Sequence, residues 1–80
     1  MSKFFAILDS EGKYVDENTI WHERETGEWH YTSKNDYRDR IWLSKTVEDA
    51  NQKINILKDN LHNINDANIQ NYEFEIKEIV

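Results

Sequence analysis

An α+β fold, with an antiparallel sheet of about four to five strands packed against one amphipathic helix in the order β-β-β-β-α-β, is what this sequence predicts. Three observations carry that expectation. Short apolar runs separated by polar turns occupy the first 43 residues, the pattern of successive short strands. Val47, Ala50, Ile54, Leu57 and Leu61 then recur at spacings of 3, 4, 3 and 4, the period of one helix face. Finally, Tyr72-Glu73-Phe74-Glu75-Ile76-Lys77 alternates strictly, as a half-buried strand does. Eighty residues hold one domain, residues 1–80, and no more.

Residues 3–8 read as the first strand, closed by Asp9-Ser10-Glu11-Gly12 as a turn. Both parities of that strand are apolar, so it belongs in the centre of the sheet, covered on both faces or partly twisted. Tyr14-Val15 resumes briefly before the polar Asp16-Glu17-Asn18. A hairpin follows, residues 19–24 and 28–33 around the loop Glu25-Thr26-Gly27, with Gly27 left-handed. That loop sets Trp21 opposite Tyr31, Glu23 opposite Trp29 and His22 opposite His30, and puts Trp21, Trp29 and Tyr31 on one face. A slip of one residue would change all of these partners.

After the polar turn Ser33-Lys34-Asn35-Asp36, the run Arg40-Ile41-Trp42-Leu43 reads as another short strand. Thr46 is a good N-cap for a helix over about residues 47–61, with Asp49 as a short stand-in for a capping-box Glu. Lys53, Lys58 and Asp59 lie away from the apolar stripe. Residues 60–71 are rich in Asn and Asp, with Ile64 and Ile69 as anchors, and read as a connection. The apolar side of the last strand packs on the helix.

Composition excludes several function classes. Without cysteine there are no disulfides and no thiolate zinc sites, which fits the reducing cytoplasm of a host cell. The opening apolar run is ended by Asp9, well short of the ~20 residues that span a membrane. A net charge of −6 repels nucleic acid, and the one basic cluster, Lys34, Arg38, Arg40 and Lys45, is interrupted by Asp36 and Asp39. Direct duplex DNA binding is therefore not expected. Two glycines in the whole chain leave no phosphate cradle and no nucleophile turn. The protein reads as a binding protein rather than an enzyme, and no cofactor is implied.

Three groups of residues could still carry function. His22 and His30 near Glu23 and Glu28 offer imidazole and carboxylate donors to a divalent metal. Surface histidines beside tryptophans are the plainer reading, because no third ligand has a defined spacing, so no metal site is assigned. Among Trp21, Trp29, Tyr31, Tyr37 and Trp42, most members are expected in the core. Any that stay exposed would form a hot-spot surface for a protein partner. The acidic residues cluster as Asp9, Glu11, Asp16 and Glu17 at the first turn, Glu23, Glu25 and Glu28 at the hairpin tip, and Glu73 and Glu75 on one strand face ~6.7 Å apart. Ordinary solubilising charge is the plain reading; a partner-binding surface made by Trp21, Glu23, Glu25, Glu28, Trp29, Glu73 and Glu75 is the functional one.

The order of a strand at residues 4–8, Gly12-Lys13-Tyr14, Trp29, an apolar run at residues 41–43, a Thr-capped segment at residues 46–50 and an acidic last strand at residues 72–80 resembles small acidic phage and prophage proteins. Trp21 and the charged Tyr37-Arg38-Asp39-Arg40 depart from that pattern. The group has no common assigned function. The resemblance implies a stoichiometric inhibitor or modulator of a host protein, such as a CRISPR effector nuclease, a restriction enzyme or a polymerase. The alternatives are a nucleotide- or metal-binding module and a self-associating structural protein. The nucleotide reading uses the helix start at Thr46 with Lys45 for a phosphate, and Arg38, Arg40 and a tryptophan for a base. Self-association would form a homodimer through the edge strand at residues 72–80.

Overall fold

The computed structural model describes residues 3–79 as β1 (Phe4–Leu8), β2 (Ile20–His22), β3 (Trp29–Tyr31), α1 (Val47–Leu61), α2 (Ala67–Gln70) and β4 (Glu75–Ile79). Met1, Ser2 and Val80, which belong to the predicted first run and last strand, lie outside the described residues. The fold is α+β, but its strands form two antiparallel pairs, β1 with β4 and β2 with β3. This corrects the single sheet of four to five strands.

The reason lies on the second edge of β1. One edge is filled by β4 in continuous register from Phe4↔Ile79 to Leu8↔Glu75. The other edge is shared by two passing segments, which make isolated bridges at Phe5↔Ser44 and Leu8↔Tyr14. Tyr14 in turn bridges Lys34, and the Trp42 N–H donates to the Val15 carbonyl. Each contact is one or two residues long, because the chain turns away at Asp16 and again after Ser44. Residues 40–43 are therefore an irregular passage and not the predicted strand. β1 still sits centrally: its consecutive residues Ala6 and Ile7, which face opposite sides, are both fully buried.

Helix α1 has the predicted bounds. The Thr46 hydroxyl accepts from the Asp49 N–H at 3.1 Å, closing the first turn. Ala50, Ile54, Leu57 and Leu61 are buried as their spacing requires, and they meet Ile7 and Val15, with Phe5, Ile20, Trp42, Phe74 and Ile76 around them. Val47 is the exception. It stands at the first helical position, 46% exposed, so the core-facing stripe begins one turn later. The Asp49 carboxylate does not reach back as a capping-box residue would. It pairs with Lys53 at 2.9 Å.

Lys53 departs from the sequence reading. Its amine donates to the Leu43 carbonyl at 3.0 Å and to the Ser44 hydroxyl at 2.8 Å, and lies 5.2 Å from the Trp42 ring centre. A side chain assigned to the solvent face thus fastens the 42–44 passage to the helix. Within the predicted connection, Asp66 caps the short helix α2 by accepting from the Asn68 and Ile69 N–H groups, and Ile64 is buried. Regular strand begins only at Glu75, but the alternation holds from Tyr72 to Lys77, with Phe74 and Ile76 turned to the core.

The hairpin register also differs. The pairs are Ile20↔Tyr31, Trp21↔His30 and His22↔Trp29, one residue from the predicted set. A four-residue loop, residues 24–27, causes the slip. The Gly27 N–H donates to the Glu23 carbonyl at 2.9 Å, and the Glu23 N–H to the Glu28 carbonyl at 2.8 Å. Gly27 has φ +75°, the left-handed turn position expected of it. Because facing side chains share a side of the ribbon, Trp21 and Trp29 fall on opposite faces.

Candidate functional site

On one face of the hairpin, the Trp21 and His30 rings lie with centroids 4.5 Å apart. On the other, His22 and Trp29 lie 4.9 Å apart. Trp21 is 42% exposed and Trp29 37%, and residues 24–29 are exposed throughout. Tyr37 is exposed too, whereas Tyr31 and Trp42 are half-buried. Most of the aromatic set was expected in the core. Its three most exposed members, Trp21, Trp29 and Tyr37, stand outside it. Within the hairpin, β2 packs on α1.

The acidic residues divide into structural and exposed groups. Asp9 is buried at the end of β1. One of its oxygens accepts from the Glu11 and Lys13 N–H groups, the other from the Tyr31 hydroxyl at 2.8 Å. Asp16 is buried and accepts from the Asn18 N–H, while its own N–H donates to Thr19 Oγ1. These two acids shape turns and do not form a surface with exposed Glu11 and Glu17. Burial first, and then the bond to Asp9, raises the Tyr31 hydroxyl far above the ordinary phenol range.

At the hairpin tip, Thr26 Oγ1 donates to Glu23 Oε2 at 2.7 Å and accepts from the Glu28 N–H at 3.2 Å. His30 Nε2 lies 3.1 Å from the same Glu23 oxygen. The Thr26 hydroxyl, with His30 second, holds the Glu23 carboxyl below its usual range. One donor atom each from Glu23, Glu28 and His30 lies within 4.8 Å of the others. Of the predicted partner-binding residues, Trp21, Glu23, Glu25, Glu28 and Trp29 are brought together on this hairpin. Glu73 and Glu75 are not among them. They border a separate shallow depression with Asp9, Ser10 and Gly12, and Glu73 lies 3.7 Å from Lys58.

Trp29, His30 and Tyr31 also line one wall of a groove of about 530 Å³, whose far wall is Asn63 to Asp66 and Ile69. Nothing in the residue spacing pointed to that juxtaposition of β3 with the Asn-rich segment. Arg38 is bound by Asp36 through two nitrogens, the shorter contact being 2.6 Å. Arg40 lies beside Trp42 in a depression of about 230 Å³ that also contains Asp16 and Glu17. Among the described residues, no helix is long and apolar enough to cross a membrane. No protein-family model, curated protein or solved structure matches the chain.

Proposed function

We propose that this protein is a non-enzymatic, phage-type binding protein that inhibits or modulates a host protein of defence or nucleic-acid processing, in the manner of an anti-CRISPR or anti-restriction factor. The supporting observation is the hairpin: Trp21 and Trp29 exposed on its opposite faces, with Glu23, Glu25 and Glu28 at its tip. A two-faced arm of this kind suits a cleft, where each tryptophan meets one wall. Exposed tryptophans are the commonest centres of interface energy, and the acidic tip selects a positively charged cleft such as one that holds nucleic acid. Glu73 and Glu75 offer a second acidic edge for the same partner.

Affinity capture of the tagged protein from a bacterial lysate, with mass spectrometry of what is retained, tests this. The expected result is one stoichiometric nuclease or polymerase. Trp21→Ala or Trp29→Ala should weaken it by about 30-fold, the equivalent of ~2 kcal/mol. Glu25→Lys with Glu28→Lys should weaken it most at low salt. An empty capture, together with no protection of phage in a defence-bearing host, would refute the reading.

A self-associating structural protein is the second reading, favoured by the position of β4 as an outer strand of its sheet. A mass that rises with concentration, and stops doing so when Ile79 is replaced by Lys, would support it.

A further inference from the structure

From the hairpin geometry we infer a divalent metal site formed by Glu23, Glu28 and His30, taking a first-row transition ion of borderline softness such as Zn²⁺. The three side chains share one face of the ribbon, and their donor atoms lie within 4.8 Å of one another. Two ligands on a tetrahedral zinc, each bound at ~2.0–2.2 Å, stand about 3.3–3.5 Å apart. His30 Nε2 and Glu23 Oε2 are already 3.1 Å apart, so an ion there replaces the proton they share. Glu28 is exposed and supplies the third donor, leaving water in the fourth position.

Two further observations point to a cation. Glu23 and Glu28 face each other across the ribbon, their backbones joined by the 2.8 Å bond from Glu23 N–H to Glu28 carbonyl. Like charges so placed repel. Among the described residues, no lysine or arginine forms an ion pair with either. The surroundings of the ligands are also built. Thr26 Oγ1 fixes the Glu23 carboxylate by a hydrogen bond, the kind of outer support that metal ligands need, and the Trp21 ring lies against His30. One imidazole and two carboxylates suit zinc or its neighbours. They are too few oxygens for calcium, which takes six to eight. Bound there, the ion would join the two strands beyond their last paired residues and set the spacing of Trp21 and Trp29 on the arm.

The test is a Zn²⁺ titration of the metal-free full chain, followed by calorimetry and by NMR of the histidine rings. The expected outcome is saturable 1:1 binding that shifts the His30 ring and the amides of residues 23–30. Binding should be unaffected by excess Mg²⁺, lost in His30→Gln and Glu28→Gln, and weakened about 10-fold by Thr26→Val. His22→Gln should bind as the parent does. His22, Thr26 and Glu28 are exposed and His30 is half-buried, so the variants should keep the parent far-UV circular dichroism. Absence of saturable binding, or binding that survives His30→Gln, would overturn the site. Either result stands apart from the capture experiment, which is read without added metal.

Discussion

Replacing Tyr31 with Phe removes one hydroxyl, and the structure allows its effect to be followed in both size and pH dependence. That hydroxyl donates to Asp9 Oδ2 at 2.8 Å and ties the hairpin to the turn after β1. The Asp9 residue is only 4% exposed, so the freed oxygen has little access to water. A hydrogen bond to a charged acceptor is worth about 1.5–3 kcal/mol, and an abandoned buried acceptor adds to the loss. A cost of ~2 kcal/mol is expected at pH 7. An 80-residue chain has roughly 4–12 kcal/mol of stability in all, and the loss corresponds to a fall in Tm of about 8–16 °C.

The sign of the pH dependence follows from the raised hydroxyl. Its folded pKa lies above its unfolded value, so its contribution is complete below pH ~10 and declines as the pH rises above that value. The parent should lose about 1.4 kcal/mol per pH unit there from this group alone, and the variant should lack that slope. Lys77 and Tyr72 are also raised, by Tyr14 and by burial respectively, and contribute the same sign to both proteins. The difference between the two therefore isolates Tyr31. Urea unfolding followed by tryptophan fluorescence from pH 7 to 11 measures it. A cost under about 0.5 kcal/mol at pH 7, or curves that stay parallel above pH 10, would refute the assignment.

Two other substitutions probe the core and its fastening. Leu57→Ala empties a site at the centre of the α1 face; a loss of about 2–5 kcal/mol should leave the chain partly unfolded at 37 °C by circular dichroism. Lys53→Met keeps the aliphatic packing but removes the bonds to Leu43, Ser44 and Asp49. It should cost about 1–2 kcal/mol in urea unfolding and raise hydrogen exchange at the Ser44 amide, with no such rise expected at α1.

Where side-chain period decides structure, the sequence was sufficient. The 3-4 spacing from Ala50 to Leu61 specified the helix and its buried face, and Thr46 specified its start. The alternation from Tyr72 gave the parity of the last strand. The hairpin register was not legible, because loops of three and four residues both end at Gly27, and the choice rests on the hydrogen bonds made by Glu23 and Thr26. Its faces were ambiguous too, since Trp21 and His22 offer aromatic rings to both sides. The run at residues 40–43 is apolar enough for a strand, yet its backbone is engaged by Val15 and Lys53, which are remote in sequence. Glu23, Glu28 and His30 were already grouped from the sequence, but with His22 beside His30; the four-residue loop pairs His22 with Trp29 and so turns it to the other face.

The pairing of Phe4 with Ile79 has a consequence for how the chain assembles. β1 carries Ile7 into the core, yet its long partner is separated from it by about seventy residues, a loop whose closure costs roughly 4 kcal/mol in chain entropy. Helix α1 and the hairpin involve only local closures and can form earlier. During synthesis, β1 therefore leaves the ribosome with one edge bare and keeps it so until β4 follows. The same adjacency makes the hairpin tip a natural place to open a circularly permuted chain, with a short linker joining the neighbourhoods of Phe4 and Ile79.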